Sequence, residues 1–174
     1  MTDPEGVTPD RSVREAEMSD QDRIFMHNVQ FAVICSQIKR QIYSARSLAQ
    51  HPRELFLVIQ TLDRELNEWY KRTPCAYRIT HPVPVSSFAM REEFRQEFRQ
   101  ALAFQFMYQH ARISIHGRIM KSYHLDREDL VQPLGSLSTD RESVGHSIHA
   151  CVDAARSIVL LTRYIDVDNY TPSW

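Results

Sequence analysis

Along most of the chain, apolar residues recur every three or four positions, the spacing of one face of an α-helix. The first such run is Ile24, Phe25, Phe31, Ile34, Cys35, Ile38, Ile42, Tyr43 and Leu48, with Ser19 or Asp20 placed before it as an N-cap. It predicts one long helix, interrupted at His51-Pro52. A second run, Leu55, Val58, Ile59, Leu62, Leu66 and Trp69, makes a one-sided stripe opposed by Asp63, Arg64, Glu65, Asn67, Glu68 and Lys71. Pro52 suits the first position of that helix, where no amide donor is needed, and Glu54 complements the positive end of its dipole. This helix is expected to pack on one side only. Pro74, Pro82 and Pro84 then stand too close together for a helix to continue.

The third run differs in character. After a candidate cap at Ser87 and the charged opening Met90-Arg91-Glu92-Glu93, no residue from Ala101 to Ala111 is formally charged. A segment of that kind must be surrounded by protein, so this helix is predicted to be the central one. Phe94, Phe98, Ala101, Tyr108, Ile115 and Ile119 mark one apolar face, and Leu102, Phe106 and Ile113 another. Unbroken from Ser87 to Tyr123 the helix would run ~50 Å at ~1.5 Å per residue, with Gly117 a place where it bends or ends. Asp126 to Gly145 is polar and contains Pro133 and Gly135, the marks of a surface loop with room for one helical turn. A last helix is predicted from about Ser147 to Tyr164, where small residues Ala150, Cys151, Ala154 and Ala155 permit a close neighbour and Ile158, Leu161 and Ile165 continue the stripe.

Residues 1–18 hold Pro4, Gly6 and Pro9 with almost no large apolar side chains, and are expected to form a flexible leader to a single domain over residues 19–174. The fold class that follows is all-α, an irregular bundle of about four to six helices with a long central helix. Composition supports it. The 174 residues are 43% hydrophobic, enough for one core, and only four are glycine, which leaves little hairpin chemistry. The formal net charge of −1 offers no excess positive field, so direct nucleic-acid contact is not expected. Cys35, Cys75 and Cys151 are odd in number and far apart, which points to a reducing compartment and to packing roles. The longest uncharged apolar runs, such as Ser157 to Thr162, fall far short of the ~20 residues needed to span a bilayer, and the acidic N-terminus is unlike a signal peptide.

Candidate chemistry is sparse. His146 and His149, three apart on a helix, invite a metal reading, but no Glu-x-x-His element accompanies them, and ordinary surface or helix-start histidines are the simpler reading. Asp166-Val167-Asp168-Asn169 begins like a calcium loop without its glycine or closing glutamate. No P-loop or G-x-G-x-x-G turn is present, no catalytic residue stands out, and neither a metal nor a cofactor is expected. The polar residues Gln105, His110, Arg112 and His116 on the central helix are more informative. Burying such groups without partners costs ~1–3 kcal/mol each, so they belong either to a satisfied network or to a small-molecule pocket. In the pocket reading Arg112, His116 and His110 meet a polar ligand while Trp69, Phe106 or Tyr108 line the walls.

Four segments together resemble the regulatory middle homology region, or fungal-specific transcription factor domain, of zinc-cluster transcription factors. Leu62-x-x-x-Leu66-x-x-Trp69-x-x-x-x-Pro74 is similar to that family's leucine, leucine, tryptophan, proline signature. Tyr108 to His116 looks like its tyrosine-to-histidine segment, and Cys151 to Ile158 like its cysteine, double-alanine, arginine segment. The first helix, with Ile34, Ile38 and Tyr43, looks like the helix ending in Ile-Tyr that precedes the tryptophan segment. Two departures stand out: Gly117-Arg118 replaces the family's Arg-Pro, and the six-cysteine zinc cluster that contacts DNA is missing. The usual N-terminal part of the regulatory region is missing too.

The resemblance implies a ligand- or partner-responsive regulatory helical module of a fungal transcription factor that does not itself bind DNA, in the nucleus or cytoplasm, as part of a longer regulator. The alternative is a stand-alone small-molecule-binding protein or enzyme of fungal metabolism on the same scaffold. Expected partners are a small-molecule effector and either a second copy of the chain or a partner protein, with no membrane.

Overall fold

The computed structural model describes residues 19–74, 77–78, 92–129 and 138–165. Five helices and no strand lie among them. The expected leader over 1–18, Cys75, the cap at Ser87, the side chain of Phe94 and the turn at Asp166 to Asn169 lie outside the described residues.

Ser19 is the first cap: its Oγ accepts from the Asp22 amide at 3.2 Å. Helix α1, Asp20–Ile42, carries Asp20 and Asp22 in its first turn and Lys39 and Arg40 in its last, matching the helix dipole at both ends. It is shorter than its periodicity predicted. The chain breaks at Tyr43-Ser44 and resumes as α2, Ala45–Leu48, capped by Ser44. A continuing helix would have turned the Ile42 carbonyl toward the amide four residues on. Instead that carbonyl accepts from the Arg118 guanidinium, which also donates to the Ser47 carbonyl at 3.2 Å. A tertiary partner thus takes over from a local one.

Helix α3, Pro52–Lys71, begins at the predicted proline and is capped by His51, whose Nδ1 accepts from the Arg53 amide at 3.3 Å. Leu55, Ile59, Leu62, Leu66 and Trp69 are all buried. The opposite face is not wholly solvent, because Asp63 and Asn67 are half-buried.

Helix α4, Glu92–Asp129, has 38 residues and so extends about 57 Å. It passes through Gly117 without ending. It packs against α1, α3 and the last helix, and is the centre that its uncharged stretch predicted. Phe104, outside both predicted faces, is fully enclosed and meets the rings of His27, Trp69 and Tyr77 edge-on at centroid distances of 5.0, 6.0 and 6.2 Å. Phe106 and Ile113 are only half-buried. The core joins Ile34, Ile38 and Ile42 of α1, the α3 stripe, and Phe104, Ala111, Ile115 and Ile119 of α4.

Helix α5, Ser138–Thr162, starts well before Ser147. Helices therefore cover 126–129 and 138–145 of the segment expected to be a surface loop. A glycine inside a helix costs only ~1 kcal/mol, so Gly145 does not prevent it. Ala150, Cys151 and Ala154 are buried, and α5 makes its most extensive interface with α4, as small side chains allow. Ala155 and Ile165 are exposed, so the buried stripe ends at Leu161. No helix among the described residues is long and apolar enough to cross a membrane.

Candidate functional site

Tyr108, Arg112 and His116 succeed one another at intervals of four on α4 and so share a face. That face looks toward Asp63, Asn67 and Tyr70 of α3 and Ser147 of α5, and a polar seam runs where the three helices meet. Within it the Tyr108 hydroxyl donates to Asn67 Oδ1 at 2.5 Å, and Asn67 Nδ2 donates to Asp63 Oδ2 at 3.0 Å. The other Asp63 oxygen lies 3.3 Å from His116 Nε2, while His116 Nδ1 lies 3.2 Å from Ser147 Oγ. The Tyr70 hydroxyl donates to Gln105 Oε1, and the rings of Tyr70 and Tyr108 stack at 4.3 Å. Arg112 lies over the Tyr108 ring at 5.7 Å, and its buried Nε has no hydrogen-bond partner among the described residues.

Electrostatics follow from this placement. Burial works to raise the Asp63 pKa, but the hydrogen bond and charge of His116, with Arg112 and His146, outweigh it and hold the carboxyl below its ordinary range. Burial pushes the Tyr108 and Tyr70 hydroxyls up, so both stay protonated donors. The Cys35 and Cys151 thiols are likewise pushed up by burial, the opposite of what a nucleophile needs.

The seam opens to solvent at one end through a cleft of about 590 Å³, lined in part by Asp63, Asn67, His116, Glu142, His146 and Ser147. His116 is 1% exposed and forms its inner wall; His146 is exposed at its mouth, with its ring 5.8 Å from that of His116.

The five residues nominated from the sequence are thus separated. His116 lines the cleft, and Tyr108 and Arg112 stand behind it in the seam. His110, two positions from Arg112, falls on the far side of α4 and is exposed. Trp69 belongs to the apolar core, where its ring stacks on His27 at 4.4 Å and its Nε1 donates to the His27 carbonyl at 2.9 Å. Asp63, Asn67, His146 and Ser147 were not nominated. The signal for the first two was Asp63-x-x-x-Asn67 beside the apolar stripe. The sequence pairs His146 with His149, but His149 Nδ1 donates to the Gly145 carbonyl at 3.0 Å, away from the seam.

With this geometry defined, similarity to known proteins adds a direction. No protein-family model matches the chain, and no solved structure matches it. Two curated relatives do: an ABC-transporter-regulating transcription factor of Aspergillus oryzae, 27% identical over 154 residues, and one of the same description from Aspergillus fumigatus, 26% identical over 154 residues. Each alignment covers 87% of this chain and 16% of the relative, so the chain spans about one sixth of the length of the proteins it matches.

Proposed function

We propose that the chain is a regulatory helical module of a fungal transcription factor, built like part of the middle homology region and acting without touching DNA itself. The observation that carries this reading is the similarity over 154 residues to two regulators from different fungi. It agrees with the resemblance carried by the Leu62 to Pro74, Tyr108 to His116 and Cys151 to Ile158 segments. Those segments supply much of the α3–α4–α5 packing.

In this reading the module works as a sensor whose effector is a small polar molecule in the cleft, and its site of action is the nucleus. A cleft of about 590 Å³ falls within the ~300–1,000 Å³ common for small-molecule sites. Its polar wall sits at the junction of three helices, so an occupant there biases how they pack. His116, on the inner wall of the cleft, is the group we assign to orienting the effector, with Arg112 backing it from within the seam. The same cleft favours the second reading, a stand-alone small-molecule binder.

Tethering the chain to an unrelated DNA-binding domain upstream of a reporter in a fungal host tests the regulatory reading. A several-fold change in transcription, altered again by His116→Ala, is the expected result. A folded, promoter-bound fusion that leaves the reporter unchanged would count against it.

A further inference from the structure

Asp63, His116 and His146 come from three different helices, yet each offers a ligand atom that lies within 4.8 Å of the other two. We propose that these three side chains form a binding site for one divalent transition-metal ion of the zinc type, with a fourth, exchangeable position facing the cleft. The proposal stands apart from the regulatory reading and does not depend on it.

The spacing is the first argument. His116 Nε2 and Asp63 Oδ1 are 3.3 Å apart. That separation holds a hydrogen bond when Nε2 carries a proton. It is close to the ~3.4 Å edge of a tetrahedron whose metal bonds are ~2.0–2.1 Å long. The two atoms stand where two ligands of one ion would stand. His146 is exposed at the mouth, so its ring is free to turn the remaining fraction of the 4.8 Å inward.

The second argument is the support behind the ligands. Metal-binding histidines use their other ring nitrogen in a hydrogen bond that sets the tautomer, and ligating carboxylates are held by a further partner. His116 Nδ1 has Ser147 Oγ at 3.2 Å, so when a metal ion displaces the Nε2 proton, an Nδ1–H donated to Ser147 keeps the Nε2 lone pair on the ion. Ser147 is itself buried. Asp63 Oδ2 is held by Asn67 at 3.0 Å, and Asn67 in turn by Tyr108 at 2.5 Å. Both inner ligands are therefore oriented by groups that would not touch the ion.

The third argument is the donor set. Two imidazoles and one carboxylate suit a borderline ion such as zinc better than calcium or magnesium, which take oxygen. Three protein ligands leave one tetrahedral position open. Here it faces the cleft, with Glu142 nearby, so water or an oxygen donor of an effector completes the shell. Lys71, a cation on the same wall, is engaged by Glu68 at 2.9 Å and does not occupy the position.

The test is titration of untagged, chelator-treated protein with zinc chloride alone, read by calorimetry, and with cobalt chloride, read by its visible absorption. One ion per chain and a four-coordinate cobalt spectrum are expected. Loss of an outer partner of a metal ligand commonly lowers affinity ~10–100-fold, so removal of a ligand should do at least that. His146→Ala, at an exposed position, and Asp63→Asn, nearly isosteric, should each weaken zinc binding by that factor, while His149→Ala leaves it unchanged. Circular dichroism establishes that each variant is folded. Wild-type protein that takes up no stoichiometric zinc overturns the proposal, and so does zinc binding that survives both His146→Ala and Asp63→Asn.

Discussion

His27 illustrates how little a residue's identity says about its role. It sits on α1 among Phe25, Met26 and Val29, which are exposed, yet it is itself buried. Its Nε2 is 2.9 Å from Thr73 Oγ1, its carbonyl accepts from Trp69, and its ring stacks on Trp69 and meets Phe104 edge-on. Burial lowers its pKa from 6.5 to about 4. A histidine depressed in this way contributes stability that is complete above its unfolded pKa and is lost as pH falls toward the folded value. The window is therefore pH 6.5 to about 4. Between pH 7.5 and pH 5 the folded state should lose about 2 kcal/mol, the unfolded chain being the one that takes up the proton. Urea denaturation at the two pH values measures it. His27→Asn should flatten the dependence; an unchanged slope in that variant would assign it to other groups.

At the scale of the element, α4 shows a helix indifferent to a residue that often ends one. Gly117 lies in its interior, and a Cβ built there meets nothing within 4 Å. The glycine therefore holds no close contact and leaves only its conformational cost. Gly117→Ala should stabilise the protein by about 1 kcal/mol, since alanine loses less backbone freedom in a helix. Thermal melting should show a rise of about 2–4 °C for a chain of this size. A fall would show that the added methyl is not accommodated at this position. The elements most legible beforehand, α3 and the middle of α4, combine a strong stripe or an uncharged run with a clear cap or proline. The C-terminal end of α4 and the start of α5 are not legible, because polar, glycine-containing stretches read as loop, while at a helix end only a few backbone bonds decide.

Across the whole molecule, Arg118 ties α4 to the corner between α1 and α2 through the carbonyls of Ile42 and Ser47. Hydrogen bonds from a charged donor contribute ~1.5–3 kcal/mol, so Arg118→Ala should cost about 2 kcal/mol. It should also loosen the corner locally. Limited trypsin digestion would then cut after Arg46 faster than in the wild type, and an unchanged rate would show that the corner holds without the clamp. The polar seam belongs to the same scale. Asp63 and His116 are 53 positions apart in the chain, and His116 and Ser147 are 31 apart. No local pattern links such residues. Arg112 and His116 were legible as polar groups misplaced on a central helix, but Asp63 read as one more charge on a solvated face.

The helices were legible in the sequence: their stripes, a cap at Ser19 or Asp20, the start at Pro52, the central place of α4 and the small-residue seam of α5. This is so because helical hydrogen bonds join residues four apart and side-chain periodicity is a local property. Tertiary packing sets where α1 breaks, that Trp69 stays in the core away from the cleft, that His110 faces out, and that Asp63, His116 and His146 converge at one cleft. Those outcomes depend on how each helix is rotated against its neighbours. That rotation is set by the summed packing of all the stripes and is written in no single one of them.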